Sequence, residues 1–326
     1  MARSTRTVAA RSLPAPRRFS LESLEARQLM AGNVDFNLTG GNLFITGDNA
    51  ANGLQIRQVG TNQFALIGTK NGGNTTVQGA GFKVVSGVTG NVIINMNGGN
   101  DLLHIEDGEG TFATQPGLPT TFQLPKFAKN LQVNLGAGVD SLTTDGMTVE
   151  GRMILDTGFG TEVDSVRMED LRVEAKGTFG LALEIDTQGG NDTVEIIDSI
   201  LKGLVDIDTG AEDDVVKITG TFVVAEGDVV IRTQNGDDLV DLLDVNFNED
   251  VTIDTGFGDD KVQIRDLVGT KDLSILLGGG DDLLRLLAVN AEDADIDGGF
   301  NEFDALIDDG GNVFGVADID NFELEI

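Results

Sequence analysis

Nine turns in the chain close on an aspartate: Asp101, Asp140, Asp164, Asp192, Asp214, Asp238, Asp260, Asp282 and Asp304. Their spacings are 39, 24, 28, 22, 24, 22, 22 and 22 residues, a period near 22. In the later turns a second acid stands just before the last one, at Asp213, Asp237, Asp259 and Asp281. Upstream lie Asp156, Asp186, Asp208, Asp254 and Asp297, and no Lys or Arg recurs at a fixed place in the repeat. Glycines precede the acids, as in GFGDD (256–260) and GGGDD (278–282), and can hold φ > 0 so that turn carbonyls point inward. Carboxylates and carbonyls together are the donor set of a hard divalent cation, which takes six to eight oxygens. The chemistry on offer is therefore calcium binding, with Asp101, Asp192, Asp214, Asp238, Asp259, Asp260, Asp281, Asp282 and Asp304 as the candidate ligands.

Something must place these turns side by side. Before each turn the residues alternate: in VTIDT, Val251, Ile253 and Thr255 face one way, and Thr252 and Asp254 the other. Period two marks a strand, and Val262 and Ile264 continue it after the turn. A second break falls mid-repeat, at NED (248–250) and GTKD (269–272), so each unit holds two or three short strands and has no room for a helix. Such units bury an apolar face only by stacking equivalent residues in columns. The expected fold is all-β: a right-handed parallel β-solenoid with about 22 residues per coil and a rise of about 4.8 Å per coil. Ile185, Ile207, Ile231, Ile253, Ile275 and Ile296 should form one internal column, and Thr157, Thr187, Thr209, Thr233 and Thr255 another at the mouth of the turn. Stacked acids would then repel their neighbours by roughly 0.9 kcal/mol per pair even in bulk water, which calls for a cation.

Three segments follow from this register. Residues 1–32 stand apart, 33–90 read as degenerate coils with Asn52 in the aspartate position, and 91–326 are the regular solenoid. The 39-residue spacing holds an inserted loop at 109–130, with three of the chain's five prolines. VADIDNFELEI (316–326) reads as a last strand that blunts the open end.

Composition narrows the function. Net charge is −32, yet residues 1–32 carry six Arg against Glu22 and Glu25. The remainder has 16 basic residues against 52 acids, which favours divalent cations and disfavours nucleic acid and anionic membrane as partners. There is no Cys and a single His, His104, so thiolate chemistry and a nitrogen- or sulfur-rich zinc site are excluded. No apolar run is long enough to span a membrane as a helix.

The turns GGGDDLL (278–284), GGNDTV (189–194) and NGDDLV (235–240) resemble the calcium-binding β-roll repeats of RTX (haemolysin-type) proteins. That family uses tandem nonapeptides with a calcium turn on both edges of the coil. Here the resemblance implies a calcium row on one edge, fitting least well at GAGVD (136–140) and GAEDD (210–214). The segment FSLESLEARQLMAG (19–32) resembles the LEPR-type N-terminal sorting segment of bacterial secreted and surface proteins. Phe19, Leu21, Glu22, Leu24, Glu25, Arg27, Leu29 and Ala31 match, whereas Ala26 stands where Pro is usual and Met30 replaces Leu. This implies export, to the medium or the cell surface.

The leading expectation is thus a non-enzymatic, calcium-binding solenoid with a structural or adhesive role, with cell-surface or matrix polysaccharide as a partner class. The alternative is a carbohydrate-active β-helix enzyme, a polysaccharide lyase or glycosidase, with Lys261, Arg265 and Arg232 as scattered basic candidates. Three other motifs weigh less. DADIDGGFNEFD (293–304) matches an EF-hand loop, but Ile296 and Asp304 fall on the solenoid register. The GFG and GAG turns lack the third glycine and the helix of a dinucleotide loop. Flat outward threonine columns, as an ice-binding surface needs, are missing because the threonines lead into acid turns.

Overall fold

A computed structural model describes residues 32–325, apart from 71–73, 107–116, 118–121, 177–179, 221–223, 226 and 301–302. Among the described residues there is no helix. The described strands form two long sheets that run side by side, one of 13 strands and one of 18. Strands that lead into the acid turns, such as Val251–Asp254, build the first, called here the entry sheet. Strands that leave the turns, such as Lys261–Val268, build the second, the exit sheet. The chain is an all-β parallel solenoid.

Register confirms the columns. Ile185 pairs with Ile207, Ile207 with Ile231, Ile231 with Ile253, Ile253 with Ile275 and Ile275 with Ile296, all at most 1% exposed. The expected threonine column, Thr157 to Thr255, is fully buried. Val251–Asp254 shows the alternation directly, with Val251 and Ile253 buried and Thr252 and Asp254 half-exposed. The parallel ladders use the backbone groups that separate short strands would leave unpaired, and the side-chain columns dry the space between the sheets.

The glycines of the turn serve close approach. Gly258 has φ +139°, and a Cβ there would lie 1.9 Å from the Gly236 carbonyl oxygen of the preceding coil. Gly280 repeats this against Gly258, so the turns stack backbone on backbone.

Two expectations are corrected at the ends. Residues 33–90 are not a run of degenerate coils. Asn42–Thr46 and Gly53–Gly60 do form a first coil, pairing in parallel with Val92–Asn95 and Leu102–Glu106. Around it, however, Asn33–Thr39, Gln63–Gly68 and Phe82–Ser86 pair antiparallel and close that end of the stack. The buried pair of Arg57 Nε with Glu106 (3.0 Å) ties the first coil to the next, and Phe64 of the closing strand Gln63–Gly68 stacks on Phe127 at 5.3 Å. At the other end, among the described residues, Val313–Asp320 pairs on one side, with Asn290–Asp297, and Val313 and Val316 stay 60% and 65% exposed, so the strand expected to blunt the edge is itself open. Most of the 109–130 loop lies outside the described residues, but Lys126–Phe127 forms a short strand on Thr148–Val149. The EF-hand motif is solenoid: Asn290–Asp297 is a strand paired on both sides.

Candidate functional site: two aspartate ladders

The final aspartates of the turns do not sit on the surface. Asp101, Asp140, Asp164, Asp192, Asp214, Asp238, Asp260, Asp282 and Asp304 are all at most 4% exposed. Period two explains this: Asp260, Val262 and Ile264 share one face of the exit strand, and that face is the core. Each carboxylate reaches back to the coil before it. The Asp238 N–H donates to Asp260 Oδ1 at 2.9 Å, the Asp260 N–H to Asp282 Oδ1 at 2.8 Å and the Asp282 N–H to Asp304 Oδ1 at 2.9 Å. The ladder starts at Asn52, whose N–H donates to Asp101 Oδ1 (2.6 Å), and ends where the Asp304 N–H meets Glu323 Oε2 (2.8 Å). The inner aspartates thus satisfy a turn N–H that no strand partner reaches.

Their second oxygens are stranded. Oδ2 of Asp101, Asp140, Asp192, Asp214, Asp238, Asp260 and Asp282 is buried without a hydrogen-bond partner. At Asp164, Asp192, Asp214, Asp238 and Asp260 the column threonine beside the turn lowers the carboxyl's pKa, as Thr255 does for Asp260, but the Thr255 hydroxyl gives its proton to the Leu277 carbonyl (2.9 Å). Burial therefore dominates. It pushes Asp101, Asp214 and Asp260 up to about 8, Asp140 and Asp282 to about 7, and Asp164 and Asp238 to about 6. Asp192 rises for the same reason. Neighbouring carboxyls add to most of these shifts and the incoming N–H opposes them. Carboxyls raised this far carry less than full charge near neutral pH, which eases the repulsion along the column.

The penultimate aspartates form a second ladder of opposite direction. Here the Asp237 N–H donates to Asp213 Oδ1 (3.0 Å), the Asp259 N–H to Asp237 Oδ1 (2.9 Å) and the Asp281 N–H to Asp259 Oδ1 (3.0 Å). The Phe303 N–H closes it on Asp281 Oδ1 (2.9 Å). All four side chains are exposed. The basic residues pair elsewhere: Arg265 with Asp241 (2.6 Å) and Arg167 with Glu195 (2.7 Å) on the exit sheet, Arg232 with Asp206 (2.7 Å) on the entry sheet. Arg232 therefore lies on the entry sheet, whereas Lys261 and Arg265 share one exit strand.

Of the nine candidate ligands, Asp259 and Asp281 belong to the exposed ladder and the other seven to the buried one. The exposed row also holds Asp213 and Asp237. Among the described residues, no three His, Cys, Asp or Glu side chains converge closely enough to hold a metal ion. A cation on the exposed row would have to bridge neighbouring coils and complete its shell with turn carbonyls and water.

His104 lies on the exit sheet between Gln55 and Thr143, and burial lowers its pKa. It lines a pocket of about 500 Å³ with Gln55, Ile67, Thr69, Lys70 and Leu102. The described lining contains no Ser, Asp or Glu, so it supplies no triad. No family model matches the chain, and no curated protein or solved structure matches it either.

Proposed function

We propose that the chain is a non-enzymatic structural and adhesive solenoid, exported to the cell surface or the medium, whose exposed acid row takes calcium. The observation that carries this reading is the outer ladder of Asp213, Asp237, Asp259 and Asp281. Four carboxylates stand one coil apart, each with Oδ1 accepting one N–H, and among the described residues no ion pair with Lys or Arg reaches them. The inner column serves the fold rather than the metal, since its oxygens face the core. Export rests on the resemblance of residues 19–32 to a sorting segment.

Stripping the protein with EDTA and titrating calcium while following the melting midpoint tests the metal. The midpoint should rise at millimolar calcium, since each occupied site adds about 2.7 kcal/mol of stability at a hundredfold excess over Kd. The triple variant Asp237→Asn/Asp259→Asn/Asp281→Asn should lose that rise. A midpoint that ignores millimolar calcium ends the metal reading.

A further inference from the structure

Along the turn edge the acid character stops at the earliest coils. The position at the end of the entry strand is Asp156, Asp186 and Asp208 in the middle of the solenoid, but Asn95 and Asn134 in the two coils before Asp156. With Asn49 and Asn97 they line an open groove of about 410 Å³, walled at its far side by Phe159. The groove's described lining contains no charged residue. On a chain of net charge −32, that makes it a neutral patch on the acid edge.

The amides in the groove are set in complementary states. Asn95 Oδ1 accepts the Asn97 N–H at 3.0 Å, which leaves the Asn95 NH₂ as a donor. Asn97 uses its NH₂ on the Gly47 carbonyl (2.6 Å) and Asn134 uses its NH₂ on Asp156 Oδ2 (2.9 Å), so both keep their carbonyl oxygens as acceptors. Asn97 is held in place by a left-handed backbone, φ 71°. Phe159 is 78% exposed and touches the same groove. A row of fixed donors and acceptors without charge, beside a bare ring face, matches a molecule whose hydroxyls each donate and accept and whose ring carries an apolar C–H face.

We propose that this groove binds a neutral pyranose oligosaccharide, with Asn95, Asn97 and Asn134 reading hydroxyls and Phe159 stacking on a sugar ring. From Asn49 to Phe159 it crosses three coil steps, about 14 Å, which suits a short stretch of an extended glycan. The amides come from stacked strands and turns, so the site is rigid before the ligand arrives. It goes beyond the calcium reading, because the groove precedes the outer aspartate row and uses none of its residues.

Calorimetric titration in EDTA with cellohexaose and laminarihexaose as neutral probes, and with oligogalacturonate as the anionic contrast, tests it. At least one neutral probe should bind and the anionic one should not. Phe159→Ala and Asn95→Ala should each weaken binding about tenfold or more. Asn97→Gly keeps the backbone, since Gly136 and Gly158 occupy the matching place in the next coils, and should also weaken it. Phe257→Ala removes an equally bare ring from the same turn position four coils on and should change nothing. Lack of binding by both neutral probes at millimolar concentration overturns the site, and so does an equal loss in Phe257→Ala. Binding that appears only with calcium and survives Phe159→Ala overturns it too, and leaves the calcium reading standing.

Discussion

Melted in EDTA at pH 5 and again at pH 8, the protein should be the more stable at pH 5. Unfolded aspartates titrate near 3.8, whereas the inner column titrates between about 6 and about 8. Between those values the folded state binds more protons than the unfolded one, so stability falls as pH rises. The contribution is complete below the unfolded value and is lost as pH climbs through 6 to 8. Asp186, raised to about 6 by burial and by Asp156 and Asp208, adds to the same slope. Glu150 runs the other way. The Lys126 and Lys176 ammonium groups hold it at about 2, so its small share is lost only as pH falls from about 4.5 toward 2. Each unit of pKa shift corresponds to about 1.4 kcal/mol, so a single column carboxyl held at about 8 should by itself cost roughly 4 kcal/mol between pH 5 and pH 8. For a chain of this size that is roughly 6 °C in melting midpoint. Surface repulsion at −32 would give a slope of the same sign, but salt screens it, whereas the buried column is screened little. The slope should therefore persist in 0.5 M NaCl. A midpoint that stays flat or rises from pH 5 to pH 8, or a slope that salt abolishes, would show that the column holds no extra protons.

The stacking was legible in the sequence because it depends on equivalence between coils. Isoleucines and threonines recurring in step with a glycine turn name their own columns, and the ladders followed. The split between buried and exposed aspartates was not drawn, although its signal was present. Counting back by two from Val262 carries the inward face to Asp260 and leaves Asp259 outside. The turn glycines hid this, because a turn does not ordinarily keep a strand's alternation. The antiparallel closure of residues 33–90 also had a signal. Gly40 and Gly41, φ 58° and 83°, form a two-residue loop between the paired Thr39 and Asn42, as a tight hairpin requires. Gln78 and Gly79 do the same between Val77 and Ala80. Read as part of the repeat, those residues looked like poor copies of a coil turn. The Asn groove had no signal of its own. Asn95, Asn97 and Asn134 lie up to 39 residues apart and meet only because the solenoid brings one coil over the next.

Replacing Asp260 separates an uncharged carboxyl from a charged one. Asp260→Asn keeps an oxygen for the Asp238 N–H and puts an amide NH₂ where Oδ2 had no donor beside it. That NH₂ can meet the Thr255 oxygen, whose own proton goes to Leu277. At pH 8 the Asn variant should match or exceed the parent by about 1 kcal/mol, and its loss of stability from pH 5 to pH 8 should be smaller. Asn52 already occupies the column position of the first coil, fully buried, with its N–H on Asp101, so the fold accommodates the amide there. Asp260→Ala leaves the Asp238 N–H buried without an acceptor and opens a cavity between two coils. It should cost about 3 kcal/mol at either pH, near 1 to 3 for the stranded donor and the rest for lost packing. In a stacked fold the damage falls on the adjoining coils, so hydrogen exchange should quicken first in the turns that hold Asp238 and Asp282. Equal destabilisation by Asn and Ala at pH 8 would mean that the carboxyl acts as an anion, and that a cation rather than a proton balances the column.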